Sequence, residues 1–248
     1  LGLQRLSYSY DHQNLTQMPT DLGAQSVDRP VPYRTETFAL NDLIPTHGRL
    51  SIVPDIRLTR FGFENLSSTD SELRQAYRNR FVISNGTGLR YSLAGNSALL
   101  LFAEGTEIRY TNNELDLPSR NSNGFAGLVG YDYPAPGPWH ARALVGYQYR
   151  RYASSIYQPI GTFYAELHGQ WIPTRLTQVS FDLSRGIGDS AFETVIGFVY
   201  TSGSIKVRHT FARNIVLEAG VGAREGSGRP SPAVFKGTPL YQNNSKQS

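Results

Sequence analysis

Arg57, Arg90, Arg109, Arg142, Arg150, Lys206, Arg208 and Arg224 recur where a strand would turn them all to one side, the strongest chemical signal in the chain. A ring of cations around a narrow aqueous passage lowers the barrier to anions and raises it to cations. Carboxylates fall on the same expected side at Asp55, Glu107, Glu166, Asp182 and Glu218. The same residues could therefore close into cross-strand ion pairs that glue an interior shut, each worth a fraction of a kcal/mol when hydrated. The candidate lining set is Arg57, Arg90, Arg109, Arg142, Arg150, Glu166, Asp182, Lys206, Arg208, Glu218 and Arg224. Catalytic chemistry is a weaker reading. His140, His168 and His209 with Ser180, Ser184 and Asp182 supply the residue types of a hydrolase triad. Parity, however, turns both serines to the polar side and His209 to the apolar side. Glu166 with Asp182 as a glycosidase pair has nothing to fix its separation. Histidines at scattered spacings do not make a zinc site. No enzymatic activity, cofactor or metal is expected.

The elements that must position these groups are strands. Residues 139–151 put Ala141, Ala143, Val145, Tyr147 and Tyr149 on one face and His140, Arg142, Gly146, Gln148 and Arg150 on the other. Similar alternation appears at about 1–10, 33–43, 47–63, 77–93, 97–112, 121–133, 138–153, 159–171, 175–187, 191–211 and 214–226. Segments this long suit a tilted barrel strand better than a soluble sheet. Short links at 44–47, 94–97, 134–138, 172–175 and 212–214 alternate with longer polar ones at 11–32, 64–76, 113–120, 154–158 and 187–190. That asymmetry places short turns on one rim and long loops on the other.

Parity gives Phe81, Ile83, Leu89 and Tyr91 against Arg80, Ser84, Gly86, Gly88 and Arg90. It likewise gives Phe163, Ala165, Leu167 and Trp171 against Tyr164, Glu166, His168 and Gln170. Glu104 falls on the apolar parity of its segment, so either a bulge or the opposite phase is expected there. Thr201-Ser-Gly-Ser204 could split 191–211, but one long strand preserves the alternation of links.

Composition narrows the class. The longest apolar run, Ala98–Ala103, is six residues, far short of the ~18 a spanning helix needs. A chain that crosses lipid without helices must do so as a closed barrel. The 15 Tyr and 12 Phe suit pleated surfaces and membrane interfaces, with Trp139 and Trp171 beside short turns. With no cysteine there is neither a disulfide framework nor a thiolate site. A net charge of +4 without a dense basic tract does not suggest nucleic acid. A leader is absent at Leu1, so an export signal is expected to be removed or the chain to be a fragment. A soluble sandwich or lipocalin-like cup also alternates, but would bury the apolar face in shorter strands.

Val145-Gly-Tyr-Gln-Tyr-Arg-Arg-Tyr152, Trp171-Ile-Pro-Thr-Arg-Leu-Thr177, Arg185, Gly197-Phe-Val and Phe211-Ala-Arg-Asn-Ile215 follow one another in a set order. This succession resembles the outer-membrane β-barrel porins of Gram-negative bacteria in the porin-2 group, best over about 120–226. The resemblance implies an outer-membrane barrel, associated in some members with exopolysaccharide genes, and carries over no catalytic residues.

The expected fold is thus an all-β, antiparallel up-and-down transmembrane barrel of roughly 12 strands, 12–16 if complete. It would occupy 1–226, with a polar tail or incomplete closing strand at 227–248. The expected function is a channel for small polar or anionic solutes through an arginine-lined lumen. An exopolysaccharide export partner and a non-conducting structural or adhesive barrel stay open. Outer-membrane lipid and the solute or polysaccharide are the expected partners.

Overall fold

A two-residue hydrophobic period leaves a segment one stable home, a sheet with chemically distinct faces. Linking such segments by tight turns makes their pairing antiparallel. The computed structural model describes residues 5–18, 30–46, 48–67, 72–73, 75–93, 95, 97–111, 118–133, 137–190, 196–212 and 215–228. Its strands are β1 (Arg5–Gln17), β2 (Val31–Pro45), β3 (Leu50–Phe63), the short pair β4 (Leu66–Ser67) and β5 (Glu72–Leu73), β6 (Arg80–Ser92) and β7 (Ala98–Tyr110). They continue as β8 (Ser122–Tyr133), β9 (Trp139–Tyr152), β10 (Ile160–Thr174), β11 (Thr177–Asp189), β12 (Gly197–Ala212) and β13 (Ile215–Gly228).

Eleven of these form one sheet in strictly sequential order, with β4 and β5 paired separately inside the loop between β3 and β6. The eleven sheet strands fall on the eleven alternating segments. Thr201–Ser204 runs through the middle of β12 without a turn. Several ends differ from the expectation, as where β2 and β10 run on to Pro45 and Thr174 into expected short links. β1 continues to Gln17 because His12, Asn14 and Thr16 keep pairing with Glu36, Arg34 and Pro32 after the apolar alternation stops. β11 runs on to Asp189, where a link was expected. Among the short turns, Gly48 and Gly95 adopt φ of 75° and 72°, the left-handed region that glycine enters without strain.

The sheet curls. Arg80 on β6 and Asp189 on β11 approach to 3.6 Å although four strands lie between them in the sheet order. Arg90 on β6 reaches Asp132 on β8 at 2.6 Å past β7. Such contacts are possible only on a concave side, so the arginine-bearing face is the inner one. Ala98, Leu100, Leu128 and Leu144 also pack there, with Phe102 and Tyr164 against them.

The convex face carries exposed Leu58, Leu89, Leu101, Val129, Val145, Leu183, Ile205, Val207 and Val221. Trp139 and Trp171, register partners at the short-turn rim, stack there with centroids 5.3 Å apart. Close aromatic fits tie neighbouring strands on this face: a Cβ on Gly169 would sit 2.0 Å from the Phe181 ring, so the ring occupies the place of a side chain.

β1 pairs only with β2 and β13 only with β12, so the sheet is an open-edged meander among the described residues. An odd number of alternating strands leaves both edges running the same way. The expected closing strand would fall in the tail, whose residues beyond Gly228 lie outside the described residues.

Candidate functional site

Register partners share a face, so the ladder decides which expected lining residues face inward. Arg57 pairs with Ser84, Arg90 with Leu100, Arg142 with His168, and Arg150 with Gly124. Glu166 pairs with Ser184, Asp182 with Ser204, Lys206 with Gly220, Arg208 with Glu218, and Arg224 with Ser202. All ten lie on the concave face.

Arg109 does not. It pairs with Phe81 on the convex face and binds Glu107 at 2.5 Å along the same strand. The assumed phase of β7 was the reverse of the true one. Leu99 and Leu101 point outward, each about half exposed, while Leu100 and Ile108 are buried and share their parity with Glu104. The ladders on both sides of β7 run through Glu104 without a register shift, so there is no bulge there. The run Ala98–Ala103 is apolar on both faces because its inner half packs against Leu128 and Leu144.

The concave cations divide into paired and unpaired sets. Arg90 binds Asp132, Arg150 binds Asp189 at 2.6 Å, and Lys206 binds Glu218 at 2.9 Å. Arg57, Arg142, Arg208 and Arg224 have no carboxylate partner among the described residues. Arg142 lies over the Phe102 ring at 5.7 Å, and Arg224 over Tyr200 at 5.0 Å. Glu166 accepts a 2.6 Å bond from the Tyr164 hydroxyl, and Asp182 meets His168 across β10 and β11.

The triad residue types do not assemble. Ser184 bonds Ser202 at 2.7 Å, and His209 bonds Thr177 on the other face at 2.9 Å. Asp182 receives Ser204 at 3.4 Å, so no serine hydroxyl bonds the His168 ring among the described residues. No group of three or more His, Asp or Glu there could hold a metal ion.

At the long-loop end the parity argument missed a cluster. Ala165–Arg185 is the last β10–β11 pair, after which β11 leaves its neighbour. Ile187 N then donates to the inward Gln148 Oε1 at 3.0 Å, and Asp189 arrives between Arg150 and Arg80. Arg120, buried just before β8, donates through Nη2 to the Ser190 carbonyl, leaving Nε and Nη1 without hydrogen bonds.

Arg78, on a 3₁₀ turn at Ala76–Arg78, donates to Gln75 at 3.0 Å and to Gln17 of β1 at 2.6 Å. Asn79 holds this turn to the sheet by accepting the Phe63 N–H at 2.7 Å. Arg78 lies 3.9 Å over the Phe63 ring, and Arg80 lies 4.2 Å over Phe61. Burial pushes the Arg78 guanidinium down to about 10, which leaves it charged at neutral pH. Tyr152, Tyr157, Ile160, Ile187 and Ile196 pack beside this cluster as an apolar shoulder. Arg80, Arg120 and Arg150 thus gather around one carboxylate at this mouth, with Arg78 beside them. The signals available in sequence were the loop arginines at 78 and 120.

An up-and-down antiparallel meander curled around a polar, charged face, with its apolar residues turned outward, is the architecture of the β-barrel class. The family model "Putative beta-barrel porin 2" matches residues 5–226, and the chain belongs to that family. No curated protein matches the chain.

Proposed function

We propose that this protein is an outer-membrane channel for small polar solutes, with a preference for anions set at its long-loop mouth. Family membership supports the channel, and the exposed apolar convex face supports lipid as its surroundings. Soluble monomers rarely leave so continuous an apolar surface in water.

The observation that carries the anion preference is the gathering of Arg80, Arg120 and Arg150 around the carboxylate of Asp189, with Arg78 beside them. Guanidiniums held in a low-dielectric mouth raise the local concentration of anions, an effect that salt screens over ~10 Å at 0.1 M. Further along the passage, Arg142 and Arg208 near the short-turn rim and Arg57 deeper in extend the cationic lining.

Single-channel recording in planar bilayers tests it. The native protein should conduct, with an anion-favouring reversal potential in a KCl gradient. Arg120→Gln at the long-loop mouth should move that potential toward cations, more at low salt, and Arg142→Glu with Arg208→Glu should move it further. A protein that inserts without conducting would leave the structural-barrel reading, which is favoured by the same cluster lying across the mouth.

A further inference from the structure

We propose that the convex wall at the long-loop rim carries a phosphate-binding cleft between β2, β3 and β6, which takes the phosphorylated headgroup of a lipid. The inference rests on the membrane reading but concerns the outside of the barrel, away from the passage.

Arg34 pairs in register with Gly62, and Arg60 with Phe81, so both arginines stand on the face otherwise given to apolar residues. Between them opens a cleft of about 140 Å³, also lined by Asn79, Phe81 and Thr111. That is several times the ~30 Å³ a water molecule takes in the liquid, enough for a compact tetrahedral anion. Gly62 creates the space: a Cβ there would sit 3.2 Å from Arg34 Nε and 3.3 Å from its Cγ, so the arginine lies flat over the bare backbone. Thr111 is fixed at the edge by its N–H, which donates to the Asn79 carbonyl at 2.9 Å.

The two guanidiniums are poorly neutralised. Arg34 has no carboxylate partner among the described residues. Arg60 has Glu36 at 3.5 Å and remains half exposed while lying 5.7 Å from the Phe81 ring. A planar guanidinium recognises phosphate oxygens through paired N–H donors.

Adjacency favours a lipid over a free anion. The next convex rows toward the short-turn rim are Phe38 with Leu58 and Leu40 with Ile56. Ile56 lies four residues from Arg60, about 13 Å along the strand. A molecule with a phosphate at one end and acyl chains at the other matches the cleft and the greasy rows beneath it. At this depth an arginine on the lipid side costs little, and each one near an anionic surface strengthens attraction to it.

The test uses the full chain purified in detergent, with native mass spectrometry reading lipid retention. The probes are diphosphorylated lipid A, the same lipid without its phosphates, and inorganic phosphate alone. The phosphorylated lipid should be retained preferentially. Arg34→Gln and Arg60→Gln should each weaken it about fivefold. Glu36→Gln should strengthen retention, a change of opposite sign that no folding defect mimics. Arg151→Gln, a convex arginine outside the cleft, should leave retention unchanged.

Equal retention of the two lipids would overturn the site, as would an unaffected double variant. Inorganic phosphate stabilising the protein as well as the lipid does would make it a soluble-anion site instead. Insertion and conductance in vesicles are read in parallel. A native chain that fails to insert overturns the membrane reading and this site together, whereas normal insertion with indifferent lipid binding overturns the site alone.

Discussion

At the long-loop end of the concave face, arginines are buried against aromatic rings and share one carboxylate. Toward the short-turn end Arg90 keeps Asp132 to itself, while Arg142 and Arg208 have no carboxylate partner among the described residues. Arg150 is 8% exposed against Asp189, whereas Lys206 and Glu218 are about half exposed even though they touch at 2.9 Å. The same chemical groups therefore do different work. A buried pair fixes geometry and is costly to break, because the partner left behind is an uncompensated charge. A hydrated pair contributes little and remains free to interact with a passing solute.

That contrast can be broken most forcefully at Asp189. Asp189→Ala strands Arg150 and Arg80 and should cost about 3–5 kcal/mol in urea unfolding from lipid vesicles. A loss below 1 kcal/mol would show that water already reaches the cluster. Next comes the contrast between faces. Leu183→Arg places a charge on the convex wall near mid-strand and should cost about 2–4 kcal/mol, while Ser184→Arg, one residue on but facing inward, should cost clearly less. Equal costs would mean that the convex face does not meet lipid.

Trp171→Ala removes the stack with Trp139 at the short-turn rim and should cost about 1 kcal/mol beyond lost area, seen as a lower urea midpoint. The smallest effect belongs to Glu218→Ala, which opens a hydrated pair and should leave the urea midpoint almost unchanged. If it costs as much as Asp189→Ala, the two ends are not different after all.

The strands were legible because alternation, not propensity, defines them: β6, β9, β10 and β11 lie where Arg90, Arg142, Glu166 and Asp182 alternate with apolar neighbours. The faces were legible wherever one parity is plainly oily. β7 failed that test. Leu99 and Leu101 face out while Leu100 packs inside, so the run shows no parity, and Arg109 was assigned to the wrong side. The mouth was illegible for a different reason. Arg120 meets Ser190 and Arg150 meets Asp189 across 70 and 39 residues of sequence. Those meetings follow from curvature and from β11 leaving its neighbour, neither of which has a period to read. Arg34 and Arg60 did leave a signal, since each is an arginine on the parity of Phe38 or Leu58.

The strictly sequential order of the sheet has a consequence for how such a wall can be built and altered. Each strand docks on the one made just before it, so every pairing closes a short loop and the entropic toll of long-range closure is deferred to the final seam. A growing wall of this kind extends hairpin by hairpin from an existing edge. By the same logic a genetic duplication of one hairpin disturbs only its two borders, and barrel diameter rises with strand number. Ring size in this architecture is thus open to change two strands at a time, with the cluster at the mouth as the part that must be rebuilt whenever the circumference shifts.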